Sequence, residues 1–296
     1  MNAKKIILNF ILSLLIAGTG FAQDTLKVKK VDKPVRFPWD SELLIDNQTT
    51  LSPPAKTLEF IIQHRFGLVN QKGIHDLFGL YAPGANIRLG LNYTVAKHLT
   101  LGYGITKKNM YSDFQVKWTI IEQTRSNRIP VAVAVFGDFA VDGRSNEALG
   151  TQYKFSNRYS YFSQVIVSRK FCDHFSIAAT ASFTHFNTVA VGRNHDVIGV
   201  GVNGQIKFSP QSSILFQYDI PLKIQGISEQ SEFTSLNSAK PNFGFGYQVE
   251  TAAHSFQIYF TTADGILPQD IYLNNRNDWT KGDFMIGFTI TRLWNF

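Results

Sequence analysis

The sequence predicts an all-β fold, an antiparallel up-and-down transmembrane β-barrel of about 12 strands. Its segments alternate apolar and polar side chains over roughly 9–11 residues, the length that a strand needs to cross a bilayer at a tilt. Long and short connections alternate along the chain, as they do in bacterial outer-membrane barrels. Residues 284–296 form a last alternating segment, which ends on an aromatic residue, Phe296.

The first 22 residues are typical of a secretory signal peptide. Two lysines precede an apolar core, residues 6–17, and the small residues Gly20 and Ala22 fit a cleavage before Gln23. The only cysteine, Cys172, lies far from that cleavage site. This position excludes a lipoprotein anchor, and a single cysteine excludes an internal disulfide. We therefore expect an exported chain whose residues 1–22 are removed.

Charge and hydropathy narrow the class of protein further. The formal net charge is +7 over 296 residues, which is mildly basic. No basic run is dense enough for nucleic acid, so nucleic acid is excluded as a partner. A membrane-spanning helix needs about 20 apolar residues in a row, and the chain after residue 22 has no such run.

Residues 23–56 are polar and interrupted by prolines, and we interpret them as a periplasmic N-terminal strap. Phe37 and Trp39 are candidate anchor points within this segment. The alternative is a small plug that folds into the lumen, and the sequence favours the strap. Residues 57–296 are then the outer-membrane β-barrel.

The regular alternation begins at residue 57. Leu58 and Phe60 face one way, whereas Glu59 and Gln63 face the other. The pattern recurs along the chain, with less regularity in the sixth and seventh segments. An even number of strands places both termini in the periplasm of a Gram-negative bacterium and the long loops outside. The predicted strands cover residues 57–66, 86–93, 99–106, 113–120, 131–139, 159–167, 175–183, 198–206, 213–220, 243–250, 256–261 and 284–296.

The two faces of these strands differ enough to indicate lipid on one side. A Lys or Arg on the lipid face costs about 2–4 kcal/mol at the bilayer midplane and about 0–1 kcal/mol near the interfaces. Arg292 is the one charge that the alternation places on the lipid face, close to the periplasmic rim. Trp118 and Trp294 near that rim, and Tyr159 and Tyr161 near the outer rim, fit aromatic girdles. Because backbone groups find no water in hydrocarbon, the strands must close into a barrel.

Two resemblances support this prediction. The terminal strand, with Trp294 and Phe296, resembles the C-terminal assembly signal of outer-membrane β-barrels, which implies recognition by the barrel-assembly machinery. Segments of the chain also resemble a family of β-barrel proteins from Bacteroidetes, a domain of unknown function, family 5777. This resemblance implies an outer-membrane barrel and supplies no catalytic residue. It covers about residues 39–296 and is carried by residues 64–67 (His-Arg-Phe-Gly), 77–80 (Leu-Phe-Gly-Leu), 158–170 and 250–257, although Ala252 and Ala253 replace glycines expected in the family.

The polar face defines a set of candidate lumen-lining residues. They could line a permeation path for small polar solutes or form a hydrogen-bond network that fills the interior. Eight strands leave a filled interior and 16 to 18 leave an aqueous channel, so about twelve strands leave both interpretations open. Inward glycines either free space or let another segment pack closely. The candidates are Arg88, Lys117, Asp138, Lys207, Asp219, Glu250, Gln115 and Asn203.

A second set of cations lies near the predicted outer rim. Lys107, Lys108, Arg144 and Arg158 could donate charge-assisted hydrogen bonds to the phosphates of outer-leaflet glycolipid. The alternative is that they only keep the loops soluble. Both interpretations stay open, and outer-membrane lipid is an expected partner in either case.

The sequence gives little support for an enzyme. No Gly-x-Ser-x-Gly elbow is present, and no metal or cofactor is expected. His75 and His195 lie in connections, and the adjacent Asp76 and Asp196 point to opposite faces of any strand they share, so neither pair is a ready dyad. The first function hypothesis is passive or narrow-specificity passage of small polar solutes. The second is a non-conducting barrel whose long loops or N-terminal strap bind a partner protein.

Overall fold

The computed structural model describes residues 32–69 and 73–296. The predicted signal peptide, residues 1–22, lies outside the described residues, and so does the first part of the predicted strap, residues 23–31. None of the helices in the described residues combines the length and the hydropathy that crossing a bilayer would need.

Twelve antiparallel strands form a closed barrel, which confirms the predicted fold class and strand number. Two short strands precede the barrel, β1 (Leu43–Leu44) and β2 (Asn47–Gln48), and one α-helix, α1 (Pro268–Asn274), precedes the last strand. The barrel strands are β3 (Thr57–Leu68), β4 (Asn86–Ala96), β5 (Leu99–Thr106), β6 (Ser112–Ile121), β7 (Ala132–Val141), β8 (Tyr159–Cys172), β9 (Phe175–Phe186), β10 (Asp196–Ser209), β11 (Ser212–Pro221), β12 (Asn242–Glu250), β13 (His254–Thr261) and β14 (Met285–Asn295).

Each barrel strand pairs with its neighbours in sequence, and the last strand closes the ring by pairing with the first. The register of this closing pair runs from Met285 opposite Leu68 to Asn295 opposite Thr57. Closure leaves no unpaired strand edge, which is the condition for a sheet to lie in hydrocarbon.

The connections divide the barrel into two ends. The end with the long connections, residues 69–85, 142–158, 187–195, 222–241 and 262–284, is called the loop end, although its connection at 107–111 is short. The opposite end is called the turn end, and it carries the chain's C-terminus together with residues 97–98, 122–131, 173–174, 210–211 and 251–253.

The outer and inner faces of the barrel differ as predicted. Outward side chains such as Leu91 and Phe114 are 48% and 50% exposed, and they form an apolar belt. Arg292 lies on the outward face at the turn end, where its guanidinium meets His254 Nε2 at 3.0 Å and lies over the ring of Trp294. A cation at this rim avoids the cost of the bilayer midplane.

The weak alternation predicted for β8 has a physical cause. Its outward residues, such as Val165, face the apolar belt, while the inward Phe162 and Ile166 are buried in an apolar cluster inside the barrel. Both faces of this strand are therefore partly apolar, and period-two patterning is lost. An apolar inner face requires something inside the barrel to cover it.

Candidate functional site: a filled lumen

The N-terminal segment folds into the barrel from the turn end. Residues 39–50, called the lumenal hairpin, are all buried, and β1 and β2 pair within it around a two-residue turn at Ile45 and Asp46. This is the arrangement of the plug alternative rather than of the strap that the sequence favoured. The sequence could not reveal it because the partners of the hairpin come from strands spread over the whole chain.

One side of the lumenal hairpin is apolar. Trp39, Leu44 and Ile45 pack in a cluster with Phe162 and Ile166 of the barrel wall. The indole nitrogen of Trp39 donates to Thr50 Oγ1 at 3.1 Å and reaches Ser168 Oγ at 3.4 Å. The hairpin is thus held by apolar burial, as in the core of a soluble domain.

The other side of the hairpin is acidic, and its three carboxylates each meet a different cation of the barrel wall. Asp40 Oδ1 lies 2.6 Å from Lys207 Nζ. Glu42 pairs with Lys117, and Asp46 pairs with Arg65. The carboxylates of Glu42 and Asp46 and their wall partners are almost wholly buried, and such charges are tolerated only when they are paired and hydrogen-bonded.

The tip of the hairpin is bound through its backbone. The amide of Ile45 donates to Gln257 Oε1 at 3.0 Å, and the amide of Asp46 donates to Gln217 Oε1 at 3.0 Å. Ile45 has a φ of 54°, a left-handed conformation that is a genuine outlier for a β-branched residue. Wall side chains that bind both turn amides hold the backbone in this strained form.

A second insert enters from the loop end. Connection 262–284 carries α1, called the lumenal helix, in which Ile271, Tyr272 and Leu273 are buried. The ring of Tyr272 lies against Phe162, with 5.8 Å between ring centroids. A Cβ atom at Gly199 would lie 2.2 Å from Tyr272 Cε1, so this inward position has to be glycine for the helix to pack. Close approach, rather than free space, is the role of this glycine.

Several wall residues contact both inserts. Arg65 pairs with Asp46 of the hairpin and also donates to the carbonyl oxygens of Ala263, at 2.6 Å, and Gly265 in the loop-end insert. Asp219 accepts from Asn47 Nδ2 at 3.0 Å and from the Tyr272 hydroxyl at 3.2 Å. The hairpin, the helix and the wall therefore form one connected network.

The two inserts leave little empty space between them. A cavity of about 20 Å³ remains among Asp46, Gln63, Arg88, Gln164 and Leu267. This volume is close to that of one or two water positions. Around this cavity the two inserts and the barrel wall pack closely.

The predicted lumen-lining residues lie in the interior, and most of them have partners there. Arg88 pairs with Asp113 of the wall at 2.5 Å. Asp138 accepts from Gln115 at 2.7 Å and from Gln269 of the lumenal helix at 2.9 Å. Asn203 is fully buried, whereas Glu250 is half-buried near the turn end. Their arrangement matches the network alternative rather than an open path.

Sequence analysis missed several residues of this network. Arg65, fully buried, is the main omission, although its place on the polar face of β3 was visible in the alternation. The hairpin carboxylates Glu42 and Asp46 and the helix residue Tyr272 were also missed. The sequence marked them only by a combination of acidic and apolar residues, in segments that were interpreted as a strap and a loop.

All four predicted outer-rim cations have partners within the chain. Lys108 Nζ lies 2.8 Å from Asp264 and 2.9 Å from Asp270. Burial opposes the charge on Lys108, but these two carboxylates outweigh burial and raise its pKa. Arg144 pairs with Asp142 at 2.6 Å. These contacts anchor the loop-end insert and a neighbouring loop.

The other two rim cations bond to neutral oxygen atoms rather than to carboxylates. Arg158 donates to the Tyr153 hydroxyl at 2.7 Å and to the Asp142 carbonyl at 2.6 Å. Lys107 is exposed, and its ammonium donates to the Ala85 carbonyl at 3.0 Å. Glycolipid contact therefore stays a prediction, and Lys107 is the rim cation best placed for it.

The histidines and the chain's end complete the predicted sites. Asp196 pairs with His185 Nδ1 at 2.7 Å rather than with the adjacent His195. Within residues 32–69 and 73–296, no group of three His, Cys, Asp or Glu side chains is arranged to hold a metal ion. Trp294 lies opposite Leu58, and the Phe296 amide donates to the Lys56 carbonyl at 3.2 Å. The role of Trp294 and Phe296 as an assembly signal stays a prediction.

A closed barrel with an apolar outer belt and a polar, filled interior defines a membrane-bound β-barrel protein. Residues 39–294 match a membrane-bound β-barrel domain of unknown function, family 5777, and the chain belongs to this family. The family resemblance seen in the sequence is thereby confirmed, whereas the implied Bacteroidetes origin stays a prediction.

Solved structures of other barrels resemble the chain at low sequence identity. The NanC porin is 9% identical with a TM-score of 0.47, and the match covers 81% of this chain and 99% of that chain. The KdgM porin is 6% identical with a TM-score of 0.45, covering 81% and 99%. An outer-membrane channel from Pseudomonas putida F1 is 10% identical with a TM-score of 0.49, covering 82% and 97%. These likenesses carry no argument about activity. No match was found among curated proteins.

Proposed function

We propose that the protein is an outer-membrane barrel that is closed at rest and that passes small polar solutes when the lumenal hairpin leaves the lumen. The turn end then faces the periplasm and the long loops face outside. The observation that carries the proposal is the matching of hairpin carboxylates to wall cations, Asp40 to Lys207, Glu42 to Lys117 and Asp46 to Arg65.

The topology of the hairpin supports a reversible closure. Both of its ends meet the barrel at the turn end, where the Val35 amide donates to Gln123 and the Lys56 amide donates to Thr94. The hairpin can therefore withdraw without opening any strand pair of the barrel. The wall residues that it would leave behind include charged and amide side chains, which water can solvate, together with the apolar Phe162 and Ile166.

The lumenal helix would have to move as well for a continuous path to form. The helix meets the hairpin through Asp219, and the connection just before the helix meets it through Arg65, so withdrawal of the hairpin removes contacts from both. We infer that the two inserts shift together. Passage would then be an activated event rather than a steady leak.

Single-channel conductance in planar bilayers tests this proposal. Wild-type protein is expected to stay closed with rare steps, whereas Asp40→Asn/Glu42→Gln/Asp46→Asn is expected to open often. Removing one member of a buried ion pair costs about 3–5 kcal/mol, because the other charge is left uncompensated. Heat-modifiable gel mobility would show that each barrel is folded.

The matched control removes the same number of charges from the outside of the loop end. Glu147→Gln/Glu229→Gln/Glu232→Gln alters three exposed carboxylates and is expected to behave as wild type. If the folded hairpin variant and its control both showed no conductance, the proposal of solute passage would be contradicted.

The second candidate function is a non-conducting barrel that binds a partner through its loops or N-terminal segment. The apolar packing of Trp39, Leu44 and Ile45 inside the barrel favours this candidate, because such packing stabilises a permanent insert. It predicts silence in every folded variant, and therefore the conductance experiment separates the two functions.

A further inference from the structure

A cleft opens at the turn end between two neighbouring connections. It has a volume of about 530 Å³ and lies between connection 122–131 and the β8–β9 turn. The N-terminal residues Val35 and Arg36 also line it. Gln123 bridges the two connections, because it donates to the Lys170 carbonyl at 3.0 Å and accepts from the Lys170 amide at 2.8 Å. Two connections and the N-terminal segment therefore enclose the cleft.

The lining of this cleft is strongly basic. Arg36, Arg125, Arg169 and Lys170 line it, against one carboxylate, that of Asp173. Lys170 pairs with Asp173 at 2.9 Å. The three guanidinium groups have no carboxylate of their own among the ion pairs of the described residues, so the cleft carries an excess of positive charge.

The donors of two of these arginines are only partly used. Arg125 Nε donates to the Pro34 carbonyl at 3.0 Å, which leaves the two terminal nitrogens of its guanidinium. Arg169 Nη2 reaches Asn127 Oδ1 at 3.4 Å, while its buried Nε has no hydrogen-bond partner in the described part of the chain. Buried polar groups are normally bonded, so Arg169 Nε indicates a missing acceptor.

The cleft lies at the level where the lipid-facing surface ends. Arg169 and Phe171 continue the outward row of β8 beyond Val165 and Val167. The Arg169 guanidinium lies 5.0 Å from the centroid of the Phe171 ring, and Phe171 contacts Phe175 at 5.8 Å. The apolar residues Val165 and Val167, followed along the strand by the Arg169 guanidinium, match the order of acyl chain and phosphate at a bilayer surface.

We propose that this cleft binds the phosphate of an anionic phospholipid headgroup in the leaflet at the turn end. Guanidinium groups recognise phosphate through bidentate, charge-assisted hydrogen bonds, and Arg125 and Arg169 supply them. Val165 and Val167 face the upper part of the acyl chains. The volume of the cleft is in the range of small-ligand sites, about 300–1,000 Å³. The site is independent of whether the lumen opens.

The chain's only cysteine supplies a reporter for the test. Cys172 is exposed and lines the cleft, so a bound headgroup is expected to shield it from a maleimide. The measurement compares labelling rates of wild-type protein in phosphatidylglycerol and phosphatidylcholine nanodiscs. Each basic residue near an anionic surface contributes a factor of about five in affinity. Labelling is expected to be at least about five-fold slower in phosphatidylglycerol.

Variants distinguish binding of a headgroup in the cleft from the overall electrostatic effect of an anionic bilayer. Arg125→Gln/Arg169→Gln is expected to lose the protection in phosphatidylglycerol, whereas Lys97→Gln, which removes an exposed cation at the same end, is expected to keep it. Equal protection in the double variant would overturn the proposal. Equal protection of wild-type protein by inorganic phosphate in phosphatidylcholine would also overturn it, because the ligand would then be a free anion.

Discussion

Replacing Arg65 by methionine is expected to lower the free energy of unfolding by about 3–5 kcal/mol, because it leaves a buried carboxylate without its counter-charge. Arg65 is fully buried and pairs with Asp46, which is equally enclosed. Arg65 also donates to the carbonyl oxygens of Ala263 and Gly265, so the substitution cuts the link between the two inserts. Both side chains are at most 1% exposed, so bulk solvent does little to compensate the loss.

The measurement is denaturant unfolding of the barrel in lipid vesicles. Arg128→Met, which alters an exposed arginine at the turn end, is the matched control and is expected to leave the unfolding midpoint unchanged. The double variant Arg65→Met/Asp46→Asn is expected to recover much of the loss, because neither charge is then buried alone. A single variant as stable as the control would show that the ion pair does not form.

Replacing Trp39 by alanine is expected to weaken the docking of the lumenal hairpin by about 3–5 kcal/mol, the usual cost of truncating a buried tryptophan. Trp39 is 2% exposed and bonds through its indole to Thr50, so the substitution removes both packing and a hydrogen bond. The hairpin is expected to open locally while the barrel strands stay paired.

Hydrogen exchange of the hairpin amides measures this opening. The amides of Ile45 and Asp46, which bond to wall glutamines, are expected to exchange faster by about two orders of magnitude or more. The neighbouring Phe37 is 77% exposed, and Phe37→Ala is the control that should change nothing. If the hairpin amides exchanged equally fast in both variants, Trp39 would not hold the hairpin in place.

The barrel itself could be predicted from the sequence because its rules are local. Strands such as β4, with Ile87 and Leu89 outward and Arg88 inward, show alternation wherever one face meets lipid and the other meets polar groups. The prediction weakened at β8, because Phe162 and Ile166 face an apolar insert and erase the pattern.

The content of the lumen could not be predicted in the same way. Trp39 and Ser168 are 129 positions apart in the chain, and Asp46 and Thr261 are 215 apart. Nothing in short-range patterning joins such residues. Only the predicted wall charges, among them Lys117 and Lys207, could be placed, because their inward position follows from the alternation. Their partners on the hairpin had to come from the structure.

The central claim is that residues 39–50 lie inside the barrel, and cysteine accessibility tests it most directly. In a Cys172→Ser background, Thr49→Cys places a thiol at a fully buried hairpin position, and Phe37→Cys places one at an exposed position just before the hairpin. The measurement is labelling by a hydrophilic thiol reagent of folded protein in nanodiscs. The structure predicts rapid labelling at position 37 and strong protection at position 49. Equal, rapid labelling at both positions would show that the segment lies outside the barrel.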